Sequence, residues 1–240
     1  MIDTHFTRRF GLLFPFAMLS PSGSTSASLA AMFSRSGGLG LVSVGDKSIA
    51  ALKNDHSVAA PDAVGWAVSS SRLSEDPAVL NLLLSFRPRA ILFEGSAMKK
   101  QVETVRRSGA RVMLSVDAPD QMASVAALDP DVIIANCGKA DMPDLAFVPH
   151  VADELNSTHS EAALLVSGQI SNARAISACL VMGVDGIVLD AQTFFPQSAS
   201  DKIPNDEEPN DKEIVTKVEA LASRASRILL HSQRKLIPEE

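Results

Sequence analysis

The sequence predicts an α/β chain closed into a compact (β/α)8 TIM barrel, on three observations. Eight short apolar runs recur along the 240 residues, each followed by a helical stretch. The runs are rich in Val, Ile and Leu, as strands covered on both faces by helices are. Gly, Pro and small polar caps fall at the junctions where strand–helix units would end. The length is near the lower limit for such a barrel, which calls for short loops. An open doubly wound sheet is the alternative, but no Gly-x-Gly-x-x-Gly follows the first apolar run.

The elements follow in order. Thr7-Arg8-Arg9-Phe10 precedes an apolar stretch from Gly11 to Leu19. The arginine pair resembles a twin-arginine leader. The competing reading, a basic surface turn running into a buried strand, is favoured because α/β punctuation continues unbroken from Gly23 to Gly40. The first strand is expected at Phe14–Leu19. A helix over Ser26–Ser36 ends at Gly37-Gly38, and Gly40–Val44 makes the second strand. Val64–Ser69 and Ala90–Glu94 are the third and fourth. A helix over Met98–Ser108 stops at Gly109, and Arg111–Val116 is the fifth strand. Ala118-Pro119-Asp120 opens the next helix with Pro in its first turn, and Val132–Asn136 is the sixth strand. Leu164–Ser167 precedes a helix capped by Ser171, with Ile176 and Leu180 on one face and a stop at Gly183. Gly186–Leu189 is the eighth strand. The last helix, Lys212–His231, places Ile214, Val218, Leu221 and Ile228 on one side. Residues 1–240 are read as one domain. Within it, polar and acidic Gln197–Glu213 is expected as a mobile loop between the eighth strand and the last helix.

Composition narrows the function. The 22 Lys and Arg stand against 28 Asp and Glu, a formal charge of −6. That disfavours a nucleic-acid partner, which needs a basic face. No run of 18 apolar residues supports a membrane span. Two cysteines, Cys137 and Cys179, make neither a disulfide framework nor a zinc pattern, so a reduced, cytoplasmic setting is expected. With no Tyr and one Trp, a site built on aromatic stacking is not expected. The expected partner is a small-molecule substrate; a homodimer is left open.

In a barrel the site lies at the carboxyl ends of the strands. The residues there are Met18, Ser20 and Ser22, then Ser43 and Gly45, Ser69 and Ser70, Glu94 and Gly95, and Ser115 and Asp117. Asn136, Cys137 and Gly138 follow, then Ser167, Gly168 and Gln169, and finally Asp190 and Ala191. The rim is small, polar and partly acidic, which leaves room for a ligand. Amides near Gly168 and the helix behind Ser171 are suited to a phosphate. Each serine taken singly is better explained by a turn or a cap. Glu94, Asp117 and Asp190 would make a carboxylate rim for Mg²⁺, but three carboxylates on separate loops are weak evidence, and no metal site is expected.

Pro15 to Gly40 reads PFAMLSPSGSTSASLAAMFSRSGGLG. It resembles the opening of the nitronate monooxygenase (2-nitropropane dioxygenase) family, which includes FMN-dependent enoyl-acyl-carrier-protein reductases. The Leu29-Ala30-Ala31 helix and Gly37-Gly38-Leu39-Gly40 carry the likeness. So do Ser108-Gly109-Ala110-Arg111-Val112, Leu164 to Ile170 (LLVSGQI), and Gly183-Val184-Asp185-Gly186-Ile187-Val188. The resemblance implies FMN held by Met18, Ser20, Ala67, Ser167, Gly168, Gln169, Asp190 and Ala191.

The departures fall on the chemistry. Met18-Leu19-Ser20-Pro21 stands for the family's Gln-Ala-Pro-Met, Ala67 for its strand-three Asn, Gln169 for its second Gly, and Asp190-Ala191 for its Gly-Thr. A carboxylate at 190 would repel a phosphate dianion unless it turned away. The family's Ala-Gly-Gly-His loop after strand six reads Ala135-Asn136-Cys137-Gly138-Lys139-Ala140-Asp141-Met142-Pro143, so its general base is absent. Cys137 and Lys139 are the replacements on the same loop. A thiolate would need a lowered pKa, and Cys137 is better explained as a small buried residue. The expected activity is that of an FMN-dependent oxidoreductase with altered chemistry. The alternatives are a non-catalytic barrel serving as a binding or assembly partner, and a flavin-free isomerase or lyase using the acidic rim.

Overall fold

The structure, a computed structural model, describes residues 2–20, 26–60, 62–138, 147–158, 160–168, 170, 172–190 and 211–236. Eight parallel strands close into a barrel in chain order, β1 pairing with both β2 and β8. The strands are β1 (Phe16–Leu19), β2 (Leu39–Ser43), β3 (Gly65–Ser69), β4 (Ala90–Glu94), β5 (Arg111–Val116), β6 (Val132–Asn136), β7 (Ala163–Ser167) and β8 (Gly186–Asp190). The helices are α1 (His5–Phe10), α2 (Ser26–Arg35), α3 (Ile49–Ala59), α4 (Ser70–Glu75), α5 (Ala78–Ser85) and α6 (Lys99–Ser108). After a 3-10 turn at Pro119–Gln121 come α7 (Met122–Ala126), α8 (Phe147–Ser157), α9 (Ala173–Val181) and α10 (Asp211–Leu236).

Alternation along each strand sorts side chains into two shells. Ala17, Leu39, Leu41, Ala67, Leu92, Met113, Ile134, Leu165 and Val188 fill the lumen. Their neighbours Phe16, Met18, Ile133, Ala135, Val166 and Ile187 pack outward with α2, α8, α9 and α10, and Val42, Trp66, Val68, Phe93 and Leu114 pack with α3, α5 and α6. The lumen is thus a packed core, as in (β/α)8 barrels generally.

The N-terminus departs from expectation. Residues 5–10 form a helix, not a surface turn. Thr4 and Thr7 close a capping box on it, and Gly11 ends it with φ +58°. Phe6 and Phe10, ring centroids 5.0 Å apart, join the lumenal cluster and plug the barrel from its amino-terminal end. Arg9 pairs with Asp131 at 3.2 Å and is tied to the barrel, while Arg8 is exposed and pairs with Asp3 at 3.1 Å. The first strand accordingly starts at Phe16. At the same end Asp131 also pairs with Arg111 and accepts from the Val112 amide, while Asp185 accepts from the amides of His5 and Leu164.

Glycines set the packing of α2 on the sheet. Gly37, at φ +99°, turns the chain out of α2, and a Cβ on Gly40 would lie 1.9 Å from the Ala30 carbonyl oxygen. The cap of α9 is Asn172, whose side chain accepts from the amides of Arg174 and Ala175; Ser171 lies outside the described residues. The expected acidic loop is likewise outside them up to residue 210, and residues 211–213 belong to α10.

Candidate active site at the barrel mouth

A cavity of about 310 Å³ opens at the carboxyl ends of the strands. Its floor is Leu19, Leu92, Ile134 and Val188, the last lumenal side chains before the mouth. Its rim is Glu94, Gly95, Ser115, Asp117, Asn136 and Ser167, all of which the strand-end rule singles out from sequence.

Three rim residues are joined in a line. The Ser167 hydroxyl donates to Asn136 Oδ1, and Asn136 Nδ2 donates to Asp117 Oδ1 at 2.5 Å. The Asp117 amide donates to Gln121 Oε1 at 2.7 Å. Asn136 is thereby fixed in orientation, and the Asp117 carboxylate gains a donor. Sequence reasoning placed all three at the mouth but gave no sign of the chain between them. Strand lengths ending level at β6 and β7 create it, with Asn136 and Ser167 in register. Beside it, the Gly95 amide donates to Ser115 Oγ, and Ser70 Oγ donates to the carbonyls of Glu94 and Ser96. These bonds tie the ends of β3, β4 and β5 together.

The remaining expected site residues separate. Met18 is fully buried in the outer shell, because Ala17 and Leu19 take the lumenal face of β1; it does not line the mouth. Ser20 accepts from the Ser43 amide at 3.3 Å, stitching β1 to β2. Ala67 faces the lumen and is fully buried in the barrel core. Gly168, at φ +151°, lies against the Cys137–Gly138 segment; a Cβ on Gly138 would sit 3.3 Å from Gly168 Cα. The two loops therefore meet backbone to backbone beside the mouth. Asp190 ends β8 opposite Leu19, and nothing is described of its side chain. Lys139, Gln169 and Ala191 lie outside the described residues.

Cys137 follows a lumenal residue and so points away from the mouth, packing against the outer cluster. Its thiol donates to the Ala135 carbonyl at 3.8 Å. Burial pushes its pKa up to about 11, and burial together with the neighbouring Cys137 does the same to Cys179. At neutral pH both are thiols, unsuited to abstract a proton. Among the described residues no His, Cys, Asp or Glu cluster is disposed to hold a metal ion.

No protein-family profile matches the chain. In sequence it is similar to nitronate monooxygenase of Pseudomonas aeruginosa, 28% identical over 137 residues, covering 52% of this chain and 39% of the length of that relative. In structure it is similar to a variant of FabK from Thermotoga maritima, with a TM-score of 0.73 at 18% identity, covering 85% of this chain and 70% of that one. It is also similar to a mandelate oxidase variant holding a monooxide FMN adduct, with a TM-score of 0.65 at 13% identity, covering 96% and 77%. The resemblance read from the sequence motifs is thus met again in the comparisons. At these identities the two structural likenesses are ones of fold. No helix among the described residues is long and apolar enough to cross a membrane.

Proposed function

We propose that the chain is an FMN-dependent oxidoreductase of the nitronate monooxygenase kind, acting on a small molecule at the barrel mouth. The sequence likeness to the Pseudomonas enzyme across half of the chain carries this reading. The geometry supports it. The apolar floor suits a flat ring, and the rim supplies amide, hydroxyl and carboxylate groups for a polar edge. The bare backbone where Gly138 meets Gly168 lets a ligand approach closely. Ser167 and Gly168 would border the ring. The phosphate is assigned to the segment from Gly168 to Ser171 and to Asp190–Ala191, as in barrels that use the loops after strands seven and eight. When bound, FMN would supply the electron acceptor.

The chain's own residues then divide the remaining work. Leu19, Leu92, Ile134 and Val188 exclude water from below. The Ser167–Asn136–Asp117 line holds two polar groups at fixed positions. Proton removal from a neutral nitroalkane carbon, assigned from sequence to Cys137 or Lys139, passes in this reading to a mouth carboxylate, Glu94 or Asp117, since the Cys137 thiol is protonated and turned away. A positioned base is worth ~10²–10⁴-fold. A carboxylate is weaker than imidazole at neutral pH, so neutral nitroalkanes should be poor substrates and pre-formed nitronates better ones.

The test is the visible absorbance of the purified protein, followed by FMN titration and steady-state assays on both substrate forms. Flavin bands with preference for the nitronate support the proposal. A colourless protein that takes up no FMN overturns it, in favour of the flavin-free or non-catalytic barrel that the acidic rim would also suit.

A further inference from the structure

At the opposite end of β3 lies a larger cavity, about 710 Å³, between the α3–β3 and α5–β4 connections. Its wall is aromatic. The rings of His56 and Phe86 stack with centroids 4.2 Å apart and planes 9° from parallel, and Trp66 packs 5.4 Å from Phe86. Three of its five polar side chains, Trp66, Arg87 and Arg89, are donors only. The Trp66 indole is fully buried and its Nε1–H has no acceptor. A buried donor without a partner is costly and rare, and it calls for an explanation. Arg87 and Arg89 also line the cavity, and among the described residues neither guanidinium has a hydrogen bond or ion pair. Burial lowers the pKa of Arg89, with no carboxylate raising it back. The cavity's carboxylate, Asp62, is held by Arg35 at 2.6 Å. Two arginines, an indole N–H without an acceptor and a flat ring wall thus border one space of ligand size, with Arg89 Nη2 3.8 Å from the Cβ position of Gly11.

We propose that this cavity is a second ligand site, distinct from the mouth, for an oxyanion carried on a flat ring: an aryl carboxylate or an aryl phosphate. Arg89 and Arg87 take the anion, the His56–Phe86 wall takes the ring, and an acceptor atom seated against the inner wall satisfies Trp66 Nε1–H. Carboxylate and phosphate share this chemistry, and separate titrations tell them apart.

Trp66 is the only tryptophan in the chain, so its fluorescence reports on this cavity directly and without reference to activity. The experiment titrates the full-length protein, as purified, with benzoate and with phenyl phosphate; inorganic phosphate serves as the charge-only control and benzyl alcohol as the ring-only control. The expected result is a saturable change with one or both aryl anions, weakened about 10- to 100-fold in Arg89→Ala, as loss of a charged hydrogen bond predicts. Arg87→Ala, at an exposed position, gives the same test without risk to the fold. No saturable change with either aryl anion, an equal response to a control compound, or full affinity in both variants would overturn the proposal. Because the readout sits at the far end of the barrel, its failure leaves the flavin assay at the mouth unaffected.

Discussion

Asn136 and Cys137 are consecutive, yet one faces the mouth and the other the helical layer, because side chains alternate along a strand. That geometry gives the thiol its burial and its pKa of about 11. At pH 8 only about a thousandth of it is thiolate, so alkylation should be slow and should accelerate as pH approaches 11. Cys137→Ala should leave turnover within about twofold, since the thiol touches nothing at the mouth; an activity loss beyond tenfold would return Cys137 to the chemistry. Stability carries a matching signature. A thiol whose folded pKa lies above its unfolded value of 9.0 favours the folded state below that value and loses the contribution as pH rises toward 11. Thermal melts should therefore fall between about pH 9 and 11, and less steeply in Cys179→Ala. Across the strand, Asp117→Asn removes the charge that accepts from Asn136. If a mouth carboxylate is the base, Glu94→Gln or Asp117→Asn should cut neutral nitroalkane turnover by about 10²-fold and spare the nitronate. Equal losses on both substrates would mark the residue as one that positions rather than abstracts. The sequence revealed these side chains by their strand-end positions. It did not reveal that Met18 and Cys137 face outward, because in a strand apolar on both faces the alternation does not state which face enters the lumen.

Strands were legible where apolar runs are bounded on both sides. Ala90–Glu94, Arg111–Val116 and Val132–Asn136 stand where sequence places them, between Pro or Gly before and polar residues after. α1 was hidden because six residues span too little to show a helical period, and its lumenal pair, Phe6 and Phe10, flanks two arginines that read as a basic surface turn. Phe6 is fully buried, so Phe6→Ala should cost about 3–5 kcal/mol in a denaturant melt. A smaller cost, under about 1 kcal/mol, would mean that the plug contributes little to barrel stability. The α2–β2 contact is tighter still. Gly40→Ala would drive its methyl into the Ala30 backbone carbonyl, which no rotamer change relieves. We expect a loss of about 3 kcal/mol or an unfolded protein, measured the same way, while Gly109→Ala, with open space around its Cβ position but φ +86°, should cost only about 1 kcal/mol.

At the scale of the molecule, the motifs that carry the family likeness turn out to be fold determinants. Gly37 turns the chain, Gly38 and Gly40 admit α2 onto the sheet, and Gly186 passes close to the Pro15 carbonyl. Asp185 ties α1 to β7 at the end of the barrel away from the mouth. Packing of this kind constrains residue types strongly, so the barrel was readable from one sequence. The mouth chemistry depends on which loop residues meet across strands, and the substituted positions there left it open. One electrostatic consequence still follows from what lines the mouth. Glu94 and Asp117 face the same small cavity in a chain of net charge −6. A nitronate is an anion and must enter against that field, whereas its parent nitroalkane is neutral. Two unit charges about 7 Å apart in water repel by about 0.6 kcal/mol, roughly a threefold effect. Raising ionic strength from about 0.01 M to about 0.15 M shortens the screening length from about 30 Å to about 8 Å. The kcat/KM for the nitronate should therefore rise two- to threefold over that range, and that for the nitroalkane should stay flat. A fall with salt would show that a cation on the strand-six loop, with Lys139 the first candidate, outweighs the two carboxylates at the point of entry.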